Sequence, residues 1–192
     1  MGNCCDPVSY NKFSGISNIG YKILYYLIMN NEDLWKLLYY DTQDALSKPA
    51  LTTQQKRDLI YDKTDDSEDY KIFRTPFVDD AFQKQCSQLR IYISSVDPVN
   101  SIKSSLDVTI ECITHIKLTN LDNYQSRSER LMEEVLGTLN GKNVGSIGYL
   151  YFDQSQSPFD SARPDIFNNR YFYGYRIRMS LNYSSPGDLC DE

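Results

Sequence analysis

Residues 106–118 alternate apolar and polar side chains, and this alternation constrains the fold more than any other part of the 192-residue chain. The apolar positions are Leu106, Val108, Ile110, Cys112, Ile116 and Leu118, and between them lie Asp107, Thr109, Glu111, His115 and Lys117. Successive side chains of a β-strand point to opposite faces, so the pattern predicts a long, half-buried strand. It places Cys112 on the core side and His115 on the outer, exposed side.

Three further segments predict strands, near residues 88–95, 144–152 and 171–183. The first alternates at Leu89, Ile91 and Ile93. In the last, Tyr171, Tyr173, Tyr175, Ile177, Met179, Leu181 and Tyr183 share one face, and Phe172, Arg176, Arg178 and Asn182 share the other. The segment 153–169 is polar, contains Pro158 and Pro164, and is predicted to be a long loop.

Apolar spacing predicts helices at about 17–29, 34–40, 53–62 and 124–139. Thr52 and Gln55 have the spacing of a capping box before the third helix, and Ser126 and Glu129 have it before the fourth. The fourth helix carries an apolar stripe of Leu131, Met132, Val135, Leu136 and Leu139. The order of elements predicts a single α+β domain over 1–192, with a mostly antiparallel four-stranded sheet, a helix packed on it, and arms at 1–16 and 184–192.

The composition is unusual in having sixteen tyrosines and a single histidine. One histidine excludes sites that need several imidazoles, so neither a metal nor a cofactor is expected, and the chain is not expected to be an enzyme. The formal net charge of -6 argues against a nucleic-acid-gripping surface, which needs basic residues. No apolar run approaches the roughly 20 residues that span a membrane. Tyrosine is favoured at protein contacts, so the composition points towards a contact-making protein.

Two other classes of function have a motif to support them. Met1-Gly2-Asn3-Cys4-Cys5 is similar to the start of an acylated protein and would suit a membrane-associated adaptor, although Asp6 stands where myristoylation needs Ser or Thr. A cysteine enzyme would have to pair Cys86 or Cys112 with His115, but a core-facing thiol is shielded and inert. The acidic segment 62–69 lacks the spacing of a calcium loop and is predicted to be a solvated loop.

A set of motifs in fixed order resembles the neck proteins of tailed bacteriophages, in the tail-terminator and head–tail connector families. It begins with residues 32–40 (EDLWKLLYY) followed by Leu46-Ser47-Lys48-Pro49 and Leu51-Thr52. It continues with the strand 106–118, then Arg127-Ser128-Glu129-Arg130, Leu139-Asn140-Gly141, residues 144–150 (VGSIGYL) and Phe172-Tyr173-Gly174-Tyr175. The likeness covers about residues 20–60 and 88–183.

This resemblance implies a structural virion protein assembled in the bacterial cytoplasm. Such a subunit would form a ring, commonly sixfold, that caps the tail tube and joins it to the head connector; a stopper or another head–tail connector ring is the alternative. Phage DNA would pass through the lumen without specific binding, and residues 62–69 are candidates to line it. The candidate interface residues are Tyr39, Tyr40, Tyr173, Tyr175, Arg176 and Arg178, where the two arginines suit either surface ion pairs or an acidic partner.

Overall fold

A computed structural model describes residues 15–61, 70–76, 84–98, 103–152, 162–167 and 171–184. The α-helices of this part are α1 (Ile19–Asn30), α2 (Asp33–Tyr39), α3 (Thr53–Asp58) and α4 (Arg127–Leu139). The strands are β1 (Ile72–Phe73), β2 (Ser87–Pro98), β3 (Lys103–His115), β4 (Lys142–Asn143), β5 (Tyr149–Phe152), β6 (Ala162–Ile166) and β7 (Phe172–Ser184). All four predicted helices are present, although α3 ends at Asp58 and Ile60 forms a β-bridge to Ile72, so the predicted extent to 62 is wrong. The protein is of the α+β class.

The sheet has seven strands in the order β1-β2-β3-β7-β5-β4, so the prediction of four strands is wrong. Its centre is an antiparallel trio, in which β3 pairs with β2 on one side and with β7 along its whole length on the other. The short strand β1 pairs parallel to β2. Strands β5 and β6 pair with different stretches of the far edge of β7. The extra strands are short edge strands, which leave little periodicity in a sequence.

Strand β6 lies inside the segment that was predicted to be a loop. Its five residues pair antiparallel to β7, from Ala162 opposite Ile177 to Ile166 opposite Tyr173. Pro164 is tolerated here because β6 is an edge strand, where one missing N–H breaks no ladder on the outer side. Residues 153–161 and 168–170 of the same predicted loop lie outside the described residues, as do the acidic segment 62–69 and most of the two predicted arms.

The core lies between one face of the sheet and helices α1, α2 and α4. Leu106, Val108, Ile110 and Cys112 are buried on this face as the alternation of β3 predicts, and they are joined by Ile177, Met179 and Leu181 of β7. The prediction that β3 is only half-buried is wrong, because Thr109, Glu111 and Ile113 on its other face are buried as well. The stripe of α4 is also confirmed, with Leu131, Val135 and Leu139 fully buried and Met132 and Leu136 packed beside them. The helices thus cover one side of the sheet, and a smaller buried cluster of Ile113, Phe167 and Phe172 lies on the other side.

Helix capping follows the sequence at α3 but not at α4. Thr52 Oγ1 accepts a hydrogen bond from the N–H of Gln55, and Gln55 Oε1 accepts one from the N–H of Thr52, so the first capping box is confirmed. Ser126 precedes α4 as predicted, but its side chain makes no capping hydrogen bond and lies 3.1 Å from Ser128 Oγ. The second capping box is therefore wrong.

The motif at residues 32–40 forms a buried junction between helices. Trp35 is fully buried and its indole N–H donates to the carbonyl of Leu27, 3.1 Å away at the end of α1. Asn31 Oδ1 accepts from the N–H of Leu34, while its amide donates to Thr138 Oγ1 on α4. The bond from the N–H of Leu34 satisfies a backbone donor that the start of α2 leaves without a helical partner. The motif thus fixes how α2 meets α1 and α4.

Arg127 is the first residue of α4 and is completely buried. Its guanidinium donates hydrogen bonds to the backbone carbonyls of Leu37, Tyr40, Thr42 and Leu118. Two of these carbonyls belong to the last turn and the C-cap of α2, which have no intrahelical donors of their own. One side chain of α4 therefore closes the end of α2 and the chain that follows it.

Strand β3 ends at His115, and residues 116–118 form a 3₁₀ turn, so the prediction of a strand to 118 is wrong. His115 Nδ1 accepts a hydrogen bond from the N–H of Lys117, 3.2 Å away, which bends the chain out of the sheet. The prediction that His115 is exposed is also wrong, since only 7% of it reaches solvent. The ring of Phe172 meets the imidazole edge-on at 4.9 Å between centroids, and Tyr171 stacks on it at 6.2 Å.

The burial of His115 predicts a loss of stability at mildly acidic pH. Burial, reinforced by the positive charge of Lys117, lowers the pKa of His115 below its ordinary value of 6.5. The folded protein therefore binds this proton less readily than the unfolded chain, and the free energy of unfolding falls as the pH drops through 6.5 towards the folded pKa. We expect denaturant titrations at pH 7.5 and pH 5.5 to show this loss.

His115→Asn is the matched variant, because Asn keeps an acceptor near Nδ1 but has no proton to gain in this range. The difference in unfolding free energy between wild type and variant should shift in favour of the variant as the pH falls. If the two proteins lose stability in parallel from pH 7.5 to pH 5.5, His115 does not cause the pH dependence.

Candidate assembly surfaces

Helix α1 exposes an aromatic side to solvent. Its apolar residues cover the whole circumference: Ile19, Ile23, Leu24 and Leu27 are buried against the core, and Lys22 is the one charged residue in Ile19–Asn30. Tyr21, Tyr25 and Met29, spaced four residues apart, lie on the outer side and are 54%, 49% and 63% exposed. The rings of Tyr21 and Tyr25 stack with centroids 6.4 Å apart. We call these three residues the α1 surface.

Strand β5 exposes a second pair of tyrosines. Leu150 is fully buried and pairs with Leu181 on the helix-facing side, so Tyr149 and Tyr151 point to the opposite side of the sheet. They are 51% and 50% exposed, and their rings stack with centroids 6.2 Å apart. We call Tyr149 and Tyr151 the β5 surface. It therefore lies on the other side of the protein from the helical layer that carries the α1 surface.

A buried group of charges lies on the same side of the sheet as the β5 surface. Glu111 of β3 is only 2% exposed, and its Oε1 accepts from Tyr92 Oη and from Arg176 Nε, each at 2.9 Å. Arg90 Nη1 lies 3.6 Å from Glu111 Oε2, and Arg176 Nη1 lies 2.9 Å from Asp165 Oδ2. Burial, reinforced by the Glu111 carboxylate, raises the pKa of Tyr92 to about 12. The cluster joins β2, β3, β6 and β7 by pairing charges.

The six interface residues predicted from the sequence do not share one surface. Tyr173 and Tyr175 are half-buried on the helix-facing side of β7, where Tyr175 Oη donates to Glu129 Oε1 of α4 at 3.3 Å. Arg176 and Arg178 lie on the other face of the sheet, where they pair with Glu111 and Thr109 of β3. The faces of β7 are as predicted, but Arg176 is ion-paired within the chain to Glu111 and Asp165.

Tyr39 and Tyr40 lie at the end of α2. Their rings meet edge-on with centroids 4.9 Å apart, and Tyr40 Oη donates to the carbonyl of Pro49 at 3.2 Å. Tyr39 is 36% exposed. Of the six residues, Tyr39 is thus the aromatic side chain with the largest exposed fraction, and it is less exposed than any tyrosine of the α1 or β5 surface.

Sequence reasoning missed the α1 surface and the β5 surface. The signal for the first is a helix that is apolar all round, because such a helix is normally buried on every side. For the second, the tyrosines alternate with Leu150, but alternation cannot say which face of a strand is covered when both are apolar.

The two cysteines of the described part, Cys86 and Cys112, are both buried and form no disulfide. Cys112 points into the core, on the face of β3 opposite to His115. Burial raises the pKa of both thiols, that of Cys112 far above its ordinary value. The N–H of His115 donates to the carbonyl of Cys86, but its Nδ1 is already occupied by Lys117. A thiol held protonated in this way is a poor nucleophile.

Within the described ranges, no helix has the length and apolar character needed to cross a membrane. The same residues contain no group of three or more His, Cys, Asp or Glu side chains placed to hold a metal ion. Cys4, Cys5 and Cys190 lie outside those ranges.

The chain matches a known protein family. The family model described as YomW matches residues 31–181, from the loop before α2 to nearly the end of β7. Helix α1 precedes the matched region, and the β5 surface lies within it. No curated protein and no solved structure matches the chain. The family is phage-derived, which agrees with a phage origin but does not distinguish a neck protein from other phage proteins. Because the match covers most of the chain, the protein belongs to the YomW family.

Proposed function

We propose that this protein is a structural subunit of the phage neck, a ring protein that caps the tail tube and joins it to the head connector. The observation that carries the proposal is the aromatic character of its surface. Among the described residues, eight of the twelve large hydrophobic side chains that are exposed are tyrosines. Tyrosine is enriched at protein interfaces, since it supplies a large contact area with few rotatable bonds. Membership of a phage-derived family supports the same class of function.

In this proposal the mechanism is geometric and needs no bond chemistry or cofactor. A ring subunit binds its neighbours through two different faces, and the rotation between copies decides whether the ring closes and with how many members. Six copies would match the sixfold ring that the sequence resemblance implies. The closed ring then occupies the end of the tail tube, stops further addition of tube subunits, and offers its far side to the head connector.

The acidic balance of the chain suits such a position. With a net charge of -6, the ring would repel the phosphate backbone, so DNA would pass through its lumen without being held. A stopper ring that closes the filled head uses the same class of contacts. The two roles differ in the partner that is bound first, the tail tube or the head connector.

Co-sedimentation with isolated tails tests the proposal. The wild-type protein should pellet with tails of the phage that encodes it, and the double variant Tyr149→Ser/Tyr151→Ser should stay in the supernatant. Since both side chains are half exposed, the variant should keep its free energy of unfolding within about 1 kcal/mol of wild type.

Tyr124→Ser is the matched control, because Tyr124 is 95% exposed and belongs to neither surface. It should pellet with tails as the wild type does. Protein that binds head connectors but never tails would favour the stopper role, and a strict monomer that binds neither would contradict the proposal.

A further inference from the structure

In a free monomer the α1 surface is exposed to water, and this exposure of apolar area is unfavourable in free energy. A helix that is apolar all round is normally buried all round, yet Tyr21, Tyr25 and Met29 are each about half exposed or more. Single exposed apolar residues need no explanation, but three in a row on one helix form a continuous patch. Lys22 is the one charge in α1, so covering this side would desolvate few charged groups.

The β5 surface is similar in chemistry and opposite in position. It too consists of stacked, half-exposed tyrosines, and it lies on the side of the sheet that the helices do not cover. The two surfaces therefore cannot meet within one chain. They can meet only between copies.

Self-pairing would cover only one of the two surfaces. Full burial of an aromatic side chain removes about 150–250 Å² from water, so the partly exposed α1 surface offers roughly 300 Å² and the β5 surface roughly 200 Å². A stable specific interface buries about 800 Å² on each partner. Any single contact between two of these surfaces is smaller than this and is therefore weak, and a surface paired with its own copy also leaves the other surface in water. A head-to-tail contact covers both surfaces in every copy, and ring closure gives each subunit two contacts.

We infer that the α1 surface of one copy docks against the β5 surface of the next copy in the ring. This inference rests on the proposed function for the existence of the ring, and it adds which two faces form the contact. It also implies that the purified protein is largely monomeric when dilute and that rings form at high concentration or on a tail end, where several weak contacts close together.

Photo-crosslinking tests the contact directly. A benzoylphenylalanine crosslinker replaces Tyr151, and the protein is irradiated at high concentration as a mixture of isotopically heavy and light copies. We expect crosslinks to the peptide that carries residues 21–29, and we expect them between heavy and light copies. The crosslinker placed at Tyr124 is the matched control and should give at least about tenfold less of this product.

A second variant tests whether the α1 surface is the partner of the β5 surface. Light subunits that carry Tyr25→Glu bring a charge into the α1 surface, so heavy crosslinker copies should capture them about tenfold less often than wild-type light copies, which corresponds to about 1.4 kcal/mol. Tyr25 is half exposed, and thermal unfolding checks that the variant still folds.

Crosslinks from position 151 to residues 149–151 of another copy, or to a part of the chain other than α1, would overturn the inference. So would rings visible by electron microscopy that give no crosslink from position 151. Neither result touches the proposed function, since rings that bind tails through other faces would still be neck rings. A different result would contradict the proposed function, namely wild-type protein that never associates with tails or head connectors.

Discussion

Replacing Arg127 by methionine is expected to lower the free energy of unfolding by about 2–4 kcal/mol, because several backbone carbonyls lose their hydrogen-bond donor. The side chain is completely buried and donates to four backbone carbonyls, at Leu37, Tyr40, Thr42 and Leu118. The bond to Leu37 is buried and the other three are partly buried. A buried carbonyl left without a donor costs about 1–3 kcal/mol, and one that water can reach costs less. Equilibrium denaturation in urea measures the change directly.

Two further variants sharpen this prediction. Arg127→Lys keeps the positive charge but lacks the planar fork of donors, so it should recover only a minor part of the loss. Arg57→Met on the exposed side of α3 is the control and should change stability by no more than about 0.5 kcal/mol. An Arg127→Met protein that unfolds within about 1 kcal/mol of wild type would show that the carbonyls find other donors.

Gly174→Ala is expected to cost about 3 kcal/mol, the upper end of the range for overpacking a core. Gly174 lies in β7 opposite Ile113, and a Cβ there would overlap the carbonyl oxygen of Cys112 and lie 2.9 Å from its carbonyl carbon. The obstacle is backbone of the central strand β3, which cannot rotate away as a side chain can. The two longest-paired strands of the sheet would have to separate.

Gly137→Ala is the control, with an effect of opposite sign. A Cβ on Gly137 meets nothing within 4 Å, and the residue is exposed in the last turn of α4. Replacing glycine by alanine within a helix should stabilise the protein by about 0.5–1 kcal/mol. Denaturation midpoints of the two variants should therefore move in opposite directions. Equal or parallel shifts would mean that the close approach of β3 and β7 is not what selects glycine at position 174.

The sequence predicted the features that depend only on the residues of one helix or strand. The alternation of β3, the stripe of α4 and the capping box at Thr52 are local patterns, and each is found at its predicted place. Strand β6 was missed because an edge strand with Pro164 and two charged residues in five has no apolar period.

Features that depend on distant parts of the chain were not accessible in this way. His115 has the alternation of an outward residue, but Phe172 and Tyr171, more than fifty positions away, cover it. Arginine is normally a surface residue, and Arg127 is buried only because the segments at the ends of α2 and β3 fold around it. For the same reason the interface was predicted on the tyrosines of β7, while the more exposed tyrosine pairs lie on α1 and β5.

Electron microscopy of isolated tails incubated with the purified protein tests the central claim most directly. The account predicts a ring at one end of each tail tube with wild-type protein, and bare tube ends with the Tyr149→Ser/Tyr151→Ser variant, while Tyr124→Ser forms rings normally. Tail ends that stay bare with wild-type protein, in preparations where the tubes themselves are intact, would contradict a role as a neck ring.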